Sequence, residues 1–118
     1  MGQGHHEYFT PMNDPVVRTD FVGIHTDGVR RKIIVEIGKP YLCGHEEWAC
    51  SVALEGLYAN LPDIHAGDAL QALCLATRLA LQLLAGFQED GGKLEFSEDG
   101  EEVSLDAYFF KPLPKRDA

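Results

Sequence analysis

The chain has 118 residues, with ten Lys and Arg against nineteen Asp and Glu, for a net charge of −9. That length predicts a single domain burying roughly two-thirds of the surface its unfolded chain exposes, and the acidic excess opposes binding to nucleic acid or to an anionic membrane. The three cysteines, Cys43, Cys50 and Cys74, are an odd number and define no disulfide framework.

Residues 1–15 are polar and aperiodic, so they read as a flexible arm ahead of one domain spanning residues 16–114. His5 and His6 in that arm are read as having no metal role. The arm lacks the apolar core of a signal peptide, which makes a cytoplasmic protein the expectation.

Val16 to His25 and Val29 to Gly38 alternate as two strands joined at Thr26-Asp27-Gly28. A two-residue turn would set Asp20 opposite Val35. A three-residue loop with Gly28 at positive φ instead pairs Val17 with Ile37, Thr19 with Val35 and Phe21 with Ile33, and sets Arg18 against Glu36 on the other face. The second register is self-consistent, and it predicts Phe21, Ile33, Val35 and Ile37 in the core. Gly38-Lys39-Pro40 ends the strand, and a polar loop runs to Glu47. A third strand, Trp48 to Glu55, presents Trp48, Cys50, Val52 and Leu54 inward and extends the meander. Gly56 to Ala66 reads as a connection.

Gly67 to Phe87 reads as one helix with almost no polar face. At about 100° per residue, only Gln71, Arg78 and Gln82 fall on a narrow polar stripe. Asp68 is the expected N-cap, with Gln71 completing a capping box. Ala69, Ala76 and Ala80 beside Leu73, Leu83 and Leu84 form the expected inner face. Leu70 and Leu81 on one flank, and Leu75 and Leu79 on the other, are expected to reach down beside it. Leu75 and Leu81 border the stripe where lysine or glutamate would be usual, so a second chain or the C-terminal segment should cover them. The three polar residues on one face argue against a membrane span.

Gly86 and Gly91-Gly92 are expected to stop the helix. Lys93 to Ser97 is a short strand, Glu98-Asp99-Gly100 a turn, and Glu102 to Phe110 a strand or an irregular return. Its run Tyr108-Phe109-Phe110 is too apolar to leave in water.

The stretch CGHEEWAC gathers Cys43, His45 and Cys50, which are zinc-ligand types, with Glu46, Glu47 or His65 as a further donor. Their spacing matches no common ligand pair, and strand alternation already accounts for Cys50 as a small buried residue. The expectation is therefore no metal and no cofactor. Cys43 as a nucleophile is opposed by Glu46 and Glu47, which disfavour the thiolate. An anion at the helix start near His65 is opposed by Asp68, which occupies the free N–H groups. Trp48 reads as core.

The segments IGKP, WAC, LEGL, GDALQAL and GGKLEF, between Ile33 and Phe96, resemble a family of small uncharacterised bacterial proteins, a domain-of-unknown-function family. The resemblance implies bacterial origin and a stand-alone domain, and brings no catalytic residues with it. The expected architecture is α+β: an antiparallel sheet of four to five strands with one long helix packed across it. The expected function is a non-enzymatic interaction module, either a homodimer or a binder of a basic protein partner such as an immunity-type protein with its toxin. Leu75, Leu81, Tyr108 and Phe110 are the expected contact residues. The alternative is a small-molecule or metal-binding enzyme using the Cys43-His45-Cys50 loop.

Overall fold

Asp27 and Gly28 set the first hairpin. In the computed structural model, which describes residues 15–108, β1 (Pro15–Ile24) pairs with β2 (Arg30–Gly38). Val17 faces Ile37, Thr19 faces Val35 and Phe21 faces Ile33, as expected. Gly28 takes a φ of 87°, Val29 N–H donates to Asp27 Oδ1 at 3.0 Å, and His25 N–H donates to Val29 O at 2.9 Å. Only glycine adopts that φ without a Cβ penalty. Phe21, Ile33, Val35 and Ile37 are buried, and Arg18 meets Glu36 at 3.0 Å on the opposite face.

The chain then forms a ribbon that bends into a second sheet. Gly38 N–H donates to Ser51 O at 2.9 Å. Beyond that bond β3 (Tyr41–Gly44) pairs with β4 (Glu47–Cys50), and on the return β5 (Val52–Glu55) pairs with β2. The single strand expected from Trp48 to Glu55 is therefore two strands in different sheets, divided at Ser51. Ile37 faces Val52 but Tyr41 faces Ala49, so the outgoing side carries one more residue than the returning side. This bulge falls at Lys39-Pro40, where Pro40 has no N–H to donate, and it bends the ribbon. Cys50, Val52 and Leu54 stay on the buried side, with Trp48 half-buried against the same core.

Two short strands lie in stretches the sequence suggested were connections. One is β3, and the other is β6 (Ile64–Ala66), which pairs with the free side of β4. With β7 (Lys93–Phe96) on β1, the sheet orders are β5-β2-β1-β7 and β3-β4-β6. The α+β class holds, with seven strands among the described residues.

The helix α1 (Ala69–Glu89) packs against strands of both sheets. Asp68 Oδ1 accepts from Gln71 N–H at 2.8 Å, while Gln71 Oε1 accepts from Gly67 N–H at 3.0 Å, one residue earlier than a standard capping box. Gly86 does not stop the helix. The stop is a Schellman motif: Gly91 has a φ of 103°, Gly92 N–H donates to Phe87 O at 2.9 Å, and Gly91 N–H donates to Gln88 O at 3.0 Å.

The buried stripe is Ala72, Ala76, Ala80 and Leu84, joined by Phe87. Ala69, Leu73 and Leu83, expected at its centre, are only half-buried. Residues four apart advance about 40° around a helix, so the contact stripe winds as α1 crosses from one end to the other. At the N-terminal end this turns Leu70 outward, to 71% exposure, against the expectation that it reaches down. The return after β7 is irregular: Glu102 bridges Glu95, Gln88 Nε2 donates to Val103 O at 3.2 Å, and Leu105–Tyr108 is a 3-10 turn.

Candidate functional site

Among the described residues, two surfaces stand out once the core is assigned. The first is the outer face of α1. By length and composition this helix is apolar enough to cross a membrane, yet only 22% of its most apolar 18-residue window is buried. Leu70, Cys74 and Thr77 are exposed, and Leu81 and Ala85 are half-buried. Their spacing of four, three, four and four keeps them on one side of the helix. Thr77 Oγ1 donates back to Leu73 O at 2.9 Å, which satisfies its hydroxyl within the helix. The row is thus apolar throughout, and no acidic side chain interrupts α1 before Glu89. Leu75 is 36% exposed on the far side of the Gln71–Arg78–Gln82 stripe. Tyr108 is also exposed, in the 3-10 turn that packs against α1, while Phe110 lies outside the described residues.

The second surface is the outer face of the β3-β4-β6 sheet. Strand alternation places Tyr41, Glu47, Ala49 and His65 together there, because Ala49 pairs with Tyr41 on one side and with His65 on the other. Ala49 is fully buried beneath them. Its methyl group is a floor low enough for side chains from the two outer strands to meet above the middle one. At one end the Tyr41 hydroxyl donates to Asp63. At the other, His65 Nδ1 lies 2.8 Å from Glu47 Oε2 and 3.7 Å from Cys43 Sγ, and that thiol donates to Glu47 O at 3.5 Å.

The hydrogen bond to Asp63, then burial and the carboxylate's charge, push the Tyr41 phenol up to about 12 from its ordinary 10.0. Raising the pKa of an acid favours its neutral form, so this pair supports the fold below pH 10.0 and is lost as pH rises towards about 12. Spectrophotometric titration should show one phenol ionising only near that upper limit, and Asp63→Asn should bring it back towards its ordinary value. Persistence of the late-ionising phenol in Tyr41→Phe would show that it does not belong to this bond. The Cys43 thiol is also pushed up, first by loss of solvent and then by Glu47, so Glu47 acts in the direction expected from the sequence. A thiol held protonated is a poor nucleophile.

The structure does not unite Cys43, His45 and Cys50. His45 sits at the hairpin tip, 94% exposed and 3.6 Å from Glu46. Cys50 is buried on the opposite side of β4, where its thiol donates to Gly38 O at 3.2 Å. The donors that do meet are Cys43, Glu47 and His65, their ligand atoms all within 4.8 Å of one another. Glu47 and His65, which the sequence offers only as further donors to that set, stand where His45 and Cys50 are expected. The alternating pairs Tyr41-x-Cys43, Glu47-x-Ala49 and Asp63-x-His65 were the available signal, but strands of three and four residues are too short to announce themselves.

The fold and these surfaces define an α+β domain of two antiparallel sheets spanned by one helix, with a polar cluster on the small sheet and an apolar row on the helix. The chain belongs to the family described as a domain of unknown function, DUF6968, whose profile matches residues 21–107. The match extends on both sides of the Ile33–Phe96 stretch that carried the resemblance, taking in the end of β1 from Phe21 and most of the C-terminal return. No curated protein and no solved structure matches the chain.

Proposed function

We propose that this protein is a non-enzymatic, cytoplasmic interaction module that self-associates as a homodimer through the outer face of α1. The observation that carries this reading is the uncharged row Leu70, Cys74, Thr77, Leu81 and Ala85, exposed at its first three residues and half-buried at its last two, in a chain of net charge −9. Two copies of an acidic protein repel each other wherever carboxylates face. This helix offers a side without them.

The row is also self-complementary. In a two-fold antiparallel pairing centred at the level of residue 79, Leu81 falls opposite Thr77 and Cys74 falls within one residue of Ala85, so large meets small and each contact is made twice. Leu75 lies beyond the polar stripe at the rim, and Tyr108 borders the surface from the C-terminal return.

Sedimentation velocity on the full chain should give a mass twice 13.0 kDa. Leu81→Glu should weaken association by about tenfold or more, since it places a carboxylate near the centre of a desolvated contact. Glutamate at Leu75 or Tyr108 should act in the same direction and less strongly. A monomer at concentrations of about 100 μM would refute the proposal, because an association weaker than that falls below the range of specific assemblies.

A further inference from the structure

We propose that the outer face of the small sheet is a binding site for a divalent transition-metal ion, zinc by preference, with Cys43 Sγ, Glu47 Oε2 and His65 Nδ1 as ligands. It is distinct from the helix surface and does not depend on self-association.

The three donors come from three adjacent strands: Glu47 on β4 pairs with Gly44, His65 on β6 pairs with Ala49, and Cys43 on β3 lies at the register shift between the paired Leu42 and Gly44. Ordinary zinc–sulfur and zinc–nitrogen bonds meeting at a tetrahedral angle separate the two ligand atoms by roughly 3.6 Å. The Cys43 Sγ to His65 Nδ1 distance is 3.7 Å. The 2.8 Å contact between His65 and Glu47 is now a hydrogen bond and would open by roughly half an ångström around an ion. Rotation of the Glu47 side chain, which is half-exposed, supplies that movement.

Donor chemistry selects the class of metal. Thiolate and imidazole discriminate against magnesium and calcium, which take oxygen donors, and the mixed sulfur, nitrogen and oxygen set suits zinc. On binding, the Cys43 thiol coordinates as thiolate and its proton leaves to solvent. Three protein ligands leave a fourth tetrahedral position, which water would fill from the solvent side. Glu47 and Asp63 add negative charge to the same face, which attracts a cation.

Cobalt(II) titrated into chelator-treated full-length protein is the probe. The expected result is a near-ultraviolet sulfur-to-cobalt charge-transfer band together with the intense visible bands of tetrahedral cobalt, both bleached by one equivalent of zinc. Cys43→Ser should remove the charge-transfer band, and Glu47→Gln and His65→Gln should each weaken binding by about tenfold or more. Cys74→Ser, His45→Gln and a double replacement of His5 and His6 by glutamine should leave both bands unchanged. All of these side chains within the described residues are exposed, and circular dichroism checks that each variant keeps its fold. Absence of any cobalt band in the wild-type protein, or a band that survives Cys43→Ser, would overturn the proposal. So would a band lost with Cys74 or with the N-terminal histidines.

Discussion

Gly56→Ala should lower the melting temperature by about 10 °C or more. Gly56 carries the chain off the end of β5 at a φ of 93°, and a Cβ placed there would lie 2.2 Å from the carbonyl oxygen of Lys32 and 3.3 Å from its carbon. Those are backbone atoms of β2, pinned by the pairing of Ile34 with Glu55. No side-chain rotation relieves the contact, so the ladder itself must shift. The left-handed conformation costs alanine about 1 kcal/mol, and the displaced pairing raises the total to about 3 kcal/mol. For a domain of this size, whose whole stability is about 5–15 kcal/mol, each kcal/mol moves the midpoint by about 4 °C. Gly100→Ala supplies the comparison: its φ is 72° but nothing lies within 4 Å, so only the conformational cost remains. Calorimetry on the two variants separates strain from collision. Equal shifts would show that the Gly56 turn relaxes without disturbing β2.

The second large effect is at Leu84. It is 1% exposed, closes the buried stripe of α1, and packs in the core with Phe21, Ile33 and Leu94. Leu84→Ala should cost about 2–5 kcal/mol, from lost transfer energy and from a cavity that a helix held against two sheets cannot close. Leu70→Ala, on the same helix at 71% exposure, should change stability by no more than about 0.5 kcal/mol. Urea unfolding of the pair measures both. Comparable losses would mean that Leu70 is covered in solution, as it would be inside a stable dimer, so the comparison is made at protein concentrations that keep the chain monomeric.

The parts of the fold legible in the sequence were those where one pattern persists over many residues. The hairpin register followed from weighing where Asp20 would fall under each loop length, and Gly28 adopts the required conformation. Asp68 was readable as a cap because its chemistry is local. The bend at Lys39-Pro40 was not readable as such: alternation from Trp48 to Glu55 continues unbroken through Ser51, and only the neighbouring strand shows that the sheet changes. The winding of the helix contact escaped for a related reason. A helical wheel assumes one fixed inner direction, whereas a helix crossing two sheets obliquely has an inner direction that rotates along its length, and this reversed the reading of Leu70. In the polar cluster, Cys43 and Glu47 were in view as residue types. Their meeting with His65 depends on β6 lying beside β4, a long-range pairing that no local spacing encodes.

The bent ribbon also sets an order of assembly. β2, β3, β4 and β5 are nested: the β3–β4 hairpin lies inside the β2–β5 pair, so each rung closes only a small additional loop once the one within it has formed. β1 joins β2 across a short turn in the same way. The pairing of β7 with β1 is of another kind, since it joins Phe21 to Phe96 across most of the described chain, with α1 inside the loop it closes. Closing that loop carries a larger entropy cost than any other pairing in the two sheets, so the β1–β7 edge is expected to close last on folding, and hydrogen exchange that protects the β7 amides least would bear this out. The strands that carry the polar cluster, all between Tyr41 and Ala66, are then expected to be paired before that edge closes.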